Sequence, residues 1–112
     1  MSAYLIQAAY TPEAWANLVA QPQDRIDAIR PVVERLGGKI THGWFAFGDY
    51  DIIAIVEMPS NVEAAAFSLA ASAGGAIRAF KTTPLMSTAE GIEAMKKAAK
   101  SGYKAPSRSA HA

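Results

Sequence analysis

The sequence predicts one α+β domain in which helices cover one face of an antiparallel sheet of four strands. Two observations lead to this fold class. Apolar runs of strand length alternate with helical segments in the order β-α-β-β-α-β, and both major helical segments end in a Gly-Gly pair. The length of 112 residues fits one domain. We expect the domain to span residues 1–100, with an extra helix at its end, and residues 101–112 to form a flexible basic tail.

The first part of the chain predicts a strand followed by two helices. Tyr4–Tyr10 is an apolar run suited to a strand, and Thr11 and Pro12 are typical N-cap and first-turn residues of a helix. Pro31 removes a backbone donor inside the second helical segment, so we expect a kink or a helix restart there. This segment ends at Gly37-Gly38, and its apolar residues at helical spacing are Ile26, Ile29, Val33 and Leu36.

The middle of the chain predicts a β-hairpin. Its strands are Lys39–Phe47 and Asp51–Met58, the second of which is rich in β-branched residues. Gly48-Asp49-Tyr50 lies between them and has the composition of a turn. Pro59 ends the second of these strands.

The last part of the chain predicts a helix, a strand and a further helix. Ser60-Asn61-Val62-Glu63 has the pattern of a capping box and opens an alanine-rich helix that reaches Ala73. The fourth strand covers Ala76–Thr83. Ser87-Thr88-Ala89-Glu90 is a second capping box, and the helix that follows carries Ile92, Met95 and Ala99.

This order of elements is that of the ferredoxin-like fold, a split β-α-β arrangement with helices on one face of the sheet. Two strands nevertheless carry apolar residues on both faces. In the first hairpin strand, Ile40, His42, Trp44 and Ala46 alternate with Thr41, Gly43, Phe45 and Phe47; in the next, Ile53 and Ile55 alternate with Ile52, Ala54 and Val56. A sheet with two apolar faces needs a second layer. We expect another copy of the chain to supply it, as a homodimer or a larger ring.

The composition limits both the core and the compartment. Of the 57 hydrophobic residues 24 are alanine, whose side chain buries little surface, so the core is thin. The chain has no Cys, which excludes disulfides and Cys-based metal sites. No apolar stretch is long enough to span a membrane, and we expect a cytoplasmic protein.

Several short motifs resemble one known family. They are Phe45-Ala46-Phe47-Gly48-Asp49-Tyr50-Asp51, Ile55-Val56-Glu57-Met58-Pro59-Ser60-Asn61-Val62-Glu63-Ala64-Ala65-Ala66 and Lys81-Thr82-Thr83-Pro84-Leu85-Met86, preceded by Tyr4-Leu5-Ile6-Gln7, Tyr10-Thr11-Pro12-Glu13 and Leu36-Gly37-Gly38-Lys39. In order and spacing they resemble the GYD-domain family of small bacterial proteins. The resemblance implies a ferredoxin-like fold related to the dimeric α/β barrels, and it implies no established general activity.

The Gly48-Asp49-Tyr50 motif supports two interpretations. In the first it is a turn, with the Asp49 side chain accepting a local backbone hydrogen bond and the Tyr50 ring packed beside it. In the second, Asp49 and Tyr50 contact a ligand directly. Asp49 and Asp51 stand two residues apart, but no further carboxylate is close in sequence, so we expect no metal site.

His42 and Glu57 are the candidate catalytic residues. They lie on the two strands of the predicted hairpin, where an imidazole and a carboxylate near Trp44 and Tyr4 can form a small acid–base pocket. The alternative is an exposed histidine at a sheet edge and a solvated glutamate at a strand end.

Lys81 and Arg78 are the candidate anion-binding residues. They lie on the fourth strand, and their odd spacing points them to opposite faces. We therefore expect one of them, Lys81, to enter the cleft and bind an anion. The alternative is a lysine that is solvated or paired at an interface.

Charge is unevenly distributed along the chain. Residues 1–95 hold 6 Lys/Arg and 10 Asp/Glu, whereas the basic residues of 96–112 have no acidic neighbour and are Lys96, Lys97, Lys100, Lys104 and Arg108. This segment is interpreted either as a solvating extension or as a tether to an anionic partner. The strand Asp51–Met58 has no aromatic residue on which a base could stack, which argues against RNA recognition by the sheet.

Two functions are consistent with these features. The first is a homo-oligomeric domain that binds a small ligand or a protein partner, with no established catalysis and no cofactor. The second is a cofactor-free enzyme of the dimeric α/β barrel kind, an oxygenase, isomerase or lyase acting on a small aromatic or carbonyl compound. In the enzyme, His42 or Glu57 moves the proton, Lys81 or Arg78 holds an anionic oxygen, and the pocket is lined by Tyr4, Trp44 and Tyr50.

Overall fold

The structure is a computed structural model that describes residues 1–106 of the chain. These residues form strands and helices in the order β-α-α-β-β-α-β-α. The strands are β1 (Ser2–Tyr10), β2 (Lys39–Phe45), β3 (Ile52–Met58) and β4 (Ile77–Leu85), and the helices are α1 (Pro12–Ala20), α2 (Arg25–Arg35), α3 (Asn61–Ala73) and α4 (Thr88–Ala99).

The four strands form one antiparallel sheet in the order β2-β3-β1-β4, which confirms the predicted α+β, ferredoxin-like arrangement. Helices α1, α2 and α3 pack on one face of this sheet. Towards them point Tyr4, Ile6, Ala8 and Tyr10 of β1 and Ile52, Ala54, Val56 and Met58 of β3, all of them buried. The opposite face is called the open face here, because no helix within residues 1–106 packs on it.

Helix α2 ends at the Gly37-Gly38 pair, as the sequence predicts. The Asp24 side chain caps its first turn by accepting hydrogen bonds from the backbone N–H groups of Ile26 and Asp27. At its end, the Gly38 N–H donates to the Val33 carbonyl at 3.1 Å and the Gly37 N–H donates to the Glu34 carbonyl at 2.9 Å. This Schellman motif requires the positive φ of 84° at Gly37, which glycine adopts without strain.

No helix restart occurs at Pro31. Helix α2 runs through this residue from Arg25 to Arg35. Pro31 deletes one backbone hydrogen bond, while the helix gains the complete burial of Val33, two residues further on, against the sheet. Burial of the apolar side of α2 therefore outweighs the local preference of proline.

Strand β2 differs from the prediction in length and in alternation. It ends at Phe45 and not at Phe47, and a bulge between Ile40 and His42 inserts Thr41 as an extra residue. The Thr41 hydroxyl donates to the Ile55 carbonyl at 3.1 Å. Because the bulge reverses the alternation, Ile40 points to the helices while His42 points to the open face. The prediction that Ile40 and His42 share a face is therefore wrong.

The main core lies between α2, α3 and the sheet. Val33 and Met58 are fully buried in it, and the Phe67 ring of α3 meets the Phe80 ring of β4 edge to face, with centroids 6.1 Å apart. Only Ala64 and Phe67 of α3 are buried, and Leu69 remains 71% exposed. The alanine-rich helix thus contributes one large side chain to the core, which agrees with the thin core expected from composition.

Helix α4 stands apart from this core. Its first turn is closed by a capping box, in which the Ser87 hydroxyl accepts from the Glu90 N–H at 3.1 Å and the Glu90 carboxylate accepts from the Ser87 N–H at 3.0 Å. The hydrogen bond from the Ser87 backbone lowers the pKa of the Glu90 carboxyl. Within residues 1–106, α4 buries none of its residues and makes no substantial contact with another helix or strand.

Residues 101–106 are exposed and form neither helix nor strand, and the rest of the predicted basic tail, including Arg108, lies outside the described residues. None of the helices in residues 1–106 combines the length and apolar character needed to cross a bilayer.

We predict that Gly38→Ala destabilises the domain. A Cβ at this position would overlap the Glu57 carbonyl oxygen and the Met58 sulfur, so β2 would have to shift against β3. We expect the free energy of unfolding to fall by about 1–3 kcal/mol, measured by urea denaturation. Gly48→Ala is the matched control, since its Cβ would meet nothing and its φ lies outside the left-handed region. Equal stability of the two variants would contradict the close packing at Gly38.

Candidate functional site

The open face has an apolar centre and polar or aromatic edges. Two cross-strand rows define it, His42–Ile55–Leu5–Thr83 and Trp44–Ile53–Gln7–Lys81, each listed from β2 to β4. The central side chains Leu5, Ile53 and Ile55 are half-buried, and Trp44 at the β2 edge is 51% exposed. The described part of the chain therefore leaves a continuous apolar strip in water.

His42 and Trp44 form the aromatic edge of the open face. Their rings stack with centroids 5.7 Å apart and planes inclined by 15°, and His42 Nδ1 lies 3.2 Å from the Thr41 hydroxyl. Glu57 lies on the same face of β3, where its carboxylate is 3.9 Å from the Lys39 ammonium. The two candidate catalytic residues thus share one side of the sheet, with Lys39 as the charged partner of Glu57.

Lys81 lies at the other edge of the same face. It pairs with Gln7 across β1 and β4, so three inter-strand spacings separate its backbone from that of Trp44. At about 4.8 Å for each spacing, the two edges are about 14 Å apart. Arg78 stands on β4 as well, where its guanidinium donates to the Asp49 carbonyl at 3.4 Å. Within one copy, then, Lys81 and His42 do not meet.

Tyr4 lies on the opposite side of the sheet from His42 and Trp44. Its ring is only 2% exposed, in the core beneath the helices, and its hydroxyl donates to the Asn61 side chain at 2.5 Å. The expectation that Tyr4 joins these residues in one pocket is therefore wrong. The reason is the two-residue period of β1, which sends Tyr4 and Ile6 to the helices and Leu5 to the open face.

The connection 46–51 carries the Gly-Asp-Tyr motif and is longer than a tight turn. Asp49 is exposed and Tyr50 is half-buried, and neither lies near His42 in the pairing of the sheet. Asp51 is 8% exposed, and its carboxylate accepts from the Tyr10 N–H at 2.9 Å. The pairing of β1 with β4 shifts register between Ala9 and Tyr10, and the Asp51 carboxylate gives the Tyr10 N–H a hydrogen-bond acceptor at this point. The buried aspartate that follows the motif is thus a structural residue, which the sequence analysis missed.

A groove of about 830 Å³ lies on the helix side of β2. Its apolar floor is built by Trp15 and Phe45, whose ring centroids are 5.8 Å apart, together with Ile26. Asp24, Asp27 and Arg30 stand among its polar lining residues. The lining also includes His42 and Trp44 of the edge strand β2. No local pattern in the sequence indicates this groove, because its wall depends on the bulge that turns Phe45 towards α1.

Sequence reasoning also missed two polar residues of the open face, Gln7 and Thr83. Gln7 lies on β1 in the row that contains Lys81, and Thr83 lies on the edge strand β4 in the row that contains His42. The signal for Gln7 is a single amide inside the apolar run Tyr4–Tyr10. No group of three or more His, Asp or Glu side chains within residues 1–106 is placed to hold a metal ion.

We predict that Asp51→Ala destabilises the fold far more than Asp49→Ala. Removing the Asp51 carboxylate leaves the buried Tyr10 N–H without its acceptor, which costs about 1–3 kcal/mol of unfolding free energy. Asp49 is exposed, and its contact to Arg78 uses the backbone carbonyl, so the control change is expected within about 0.5 kcal/mol. Thermal unfolding of both variants provides the measurement, and a neutral Asp51→Ala would refute the structural role.

The comparison with known proteins agrees with the fold and the motifs. The family model of the GYD domain matches residues 4–100 of the 112-residue chain. No curated protein and no solved structure matches the chain. The match spans β1 to the end of α4 and includes every motif quoted above for the resemblance. The chain therefore belongs to the GYD-domain family.

Proposed function

We propose that this GYD domain is a cytoplasmic, homo-oligomeric module that binds a small ligand or a protein partner, and that its open face is the surface of self-association. The observation that carries the proposal is the apolar strip of Leu5, Ile53 and Ile55 at the centre of a face without a helical cover. Each Å² of apolar surface removed from water contributes about 25 cal/mol, so covering this strip stabilises the subunit. The open face of a second copy offers a matching apolar strip to cover the first, and a second copy is always available to the chain.

Two open faces can pack against each other around two kinds of two-fold axis. An axis across the strands places like edges together, so that Lys81 of one copy lies near Lys81 of the other. An axis along the strands places β4 of each copy over β2 of the other, so that Lys81 faces the His42–Trp44 edge across a sheet spacing of about 10 Å. Charge and aromatic complementarity favour the second arrangement, since a lysine over an indole ring gains a cation–π contact.

The second arrangement also supports ligand binding at the interface. Lys81 and Thr83 of one copy and His42 and Trp44 of the other then border one cleft, although they lie on opposite edges of a single sheet. Such a cleft combines a cation, an imidazole and an indole, which suits a small aromatic compound with an anionic or carbonyl oxygen.

One observation favours catalysis as a second candidate function. His42 is exposed and stacked on Trp44, and Glu57 lies on the same face. In a cofactor-free oxygenase, isomerase or lyase, His42 would accept or return a proton while Lys81 of the other copy holds the developing oxyanion. This role requires the same assembly as ligand binding, so self-association is the first property to test.

We predict that Ile55→Lys converts the assembly to a monomer. The substitution places a charge at the centre of the apolar strip, where partner association would bury it at a high energetic cost. Size-exclusion chromatography with light scattering measures the mass of each variant. Ala70→Lys adds the same charge at an exposed position of α3 and is expected to leave the assembly unchanged.

Ile55→Thr provides a milder change that keeps a β-branched residue in β3. We expect it to weaken association without loss of fold, as judged by circular dichroism. A wild-type chain that is monomeric at micromolar concentration would refute the proposal. Wild-type mass retained by a folded Ile55→Lys variant would refute it as well.

We predict energetic coupling between Lys81 and Trp44 in the assembled form. A double-mutant cycle with Lys81→Ala and Trp44→Ala is measured on the dissociation constant of the assembly. If the strand-parallel axis is right, the two changes are non-additive by at least about 0.5 kcal/mol. Because about 14 Å separates the two edges within one copy, the same cycle on the unfolding free energy of the Ile55→Lys monomer is expected to be additive. Additivity in both measurements would contradict the proposed axis.

A further inference from the structure

The exposed apolar side chains fall into two groups at opposite edges of the sheet. Twelve large apolar residues are exposed among the described residues, and nine of them belong to these groups. The first group, the β2-edge surface, consists of Val19, Trp44, Phe45 and Phe47. The second group, the arm surface, lies along α4 and the residues that flank it and consists of Leu85, Met86, Ile92, Met95 and Tyr103.

Helix α4 is too short to be stable without a packing partner. It has 12 residues, and isolated helices of about 12–15 residues are marginal in water even with strong helix formers. Residues 1–106 give it no such partner, because α4 buries none of its residues and makes no substantial contact with another helix or strand there. The radius of gyration of 18.6 Å, against about 13 Å for a compact chain of this length, and the long axis of 61 Å show how far the structure departs from a compact domain.

We propose that α4 is an exchanged arm, which packs the arm surface of each copy onto the β2-edge surface of a second copy. Ala89, Ile92, Met95 and Ala99 have the three- and four-residue spacing of one helix face, so they form an apolar stripe along the arm. On the receiving copy, Val19, Trp44 and Phe45 belong both to the β2-edge surface and to the lining of the 830 Å³ groove. The arm therefore finds a groove with an apolar floor and with room for its side chains.

Charge supports the second copy as the occupant. Four lysines and no acidic residue lie between Lys96 and Lys104, whereas residues 1–95 carry 10 Asp/Glu and 6 Lys/Arg. In the groove itself, Asp24 and Asp27 stand beside Arg25 and Arg30. The side chain of Asp27 is 73% exposed, and its only ion pair within residues 1–106 is a 3.8 Å contact to Arg30. Lysines that follow the apolar stripe can thus reach carboxylates on the receiving copy.

The proposed two-fold arrangement delivers the arm to this place, so the inference rests on the proposed function. With the axis along the strands, β4 of one copy lies over β2 of the other, and only two residues separate the end of β4 from the start of α4. A helix of this length spans about 18 Å, comparable with the seven residues of β2. The arm can therefore lie along the partner's β2 and cover the unpaired edge of the sheet.

Disulfide trapping between copies tests the arm. Because the chain has no cysteine of its own, every disulfide must involve the introduced residues. Two single-cysteine variants of the full chain, Met95→Cys and Val19→Cys, are mixed, allowed to exchange subunits and oxidised mildly. We expect a cross-linked heterodimer on non-reducing gels, and Met95→Cys with Phe47→Cys is the second pair. Met95→Cys with Val62→Cys is the control, because Val62 is exposed on α3, outside both groups. Cross-linking no stronger than in this control would overturn the proposal.

Charge substitutions on the arm give an independent measurement. Ile92→Lys is expected to weaken association at least tenfold, while Ala94→Lys, on the opposite side of α4 from the stripe, is expected to leave it within twofold. Equal effects of the two changes would count against the arm. An intrachain disulfide in the double variant Val19→Cys/Met95→Cys, with no link between copies, would show that the arm folds back on its own body and would also overturn the proposal.

Amide hydrogen exchange separates failure of the arm from failure of the proposed function. We expect the amides of Ile92–Ala99 to be protected in the assembled wild type and to exchange freely in the Ile55→Lys monomer. A wild type that assembles but leaves these amides unprotected would overturn the arm alone and leave the sheet interface standing. A wild type that is monomeric would overturn both proposals.

Discussion

A β-sheet buries both sides of its strands only when both faces are covered, and the helices of residues 1–106 cover one. Helices α1, α2 and α3 all pack on the side of Ile6, Val56 and Phe80. The opposite side nevertheless carries the apolar side chains of Leu5 and Ile55, whose exposure to water is unfavourable. This imbalance leaves the apolar side chains of Leu5, Ile53 and Ile55 only half-buried at the centre of the open face. Under the proposals made above, the open face is the surface of self-association, and helix α4, which makes no substantial contact with another element of residues 1–106, packs on the second copy.

The alanine content makes the imbalance more severe. Helix α3 spans 13 residues and buries only Ala64 and Phe67, so the helical layer supplies close contact but little apolar area. A larger helical layer would stabilise the subunit by itself, and the open face could then be polar at little cost. Here the subunit retains apolar residues on its second face, and the fold gains stability when that face is covered. The proposed assembly would therefore stabilise the folded subunit, because a partner stabilises the state that it binds.

Most of the fold could be predicted from the sequence, because its signals are local. The Thr11 cap, the Gly37-Gly38 stop and the Ser87 capping box depend on nearest neighbours along the chain, and each lies where the sequence places it. The bulge at Thr41 could not be predicted in this way, since it depends on how β2 registers against β3. The continuity of α2 through Pro31 is also a tertiary effect, because burial of the helix outweighs a local preference.

The candidate site was harder to predict than the fold, since periodicity assigns a residue to a face but not to a position across the sheet. Lys81 and His42 share the open face but stand on opposite edge strands, and no pattern within a single strand reveals this. Asp51 stands two residues from Asp49, but its hydrogen-bond partner is the Tyr10 amide, 41 residues away in sequence. The positions of Lys81 and His42 and the partner of Asp51 are all set by contacts between residues far apart in sequence. A single sequence carries little information about such contacts.

One inserted residue connects the two faces of the molecule. Without the bulge at Thr41, Trp44 would point towards the helices and Phe45 towards the open face, by simple alternation from Ile40. With it, Trp44 borders the open face beside His42, while Phe45 packs on Trp15 and lines the groove. Edge strand β2 therefore shows an aromatic side chain on each of its faces. A partner that covers the open face and reaches round this edge would contact both aromatics, which is the geometry of a sheet-to-sheet pair that exchanges its terminal helices.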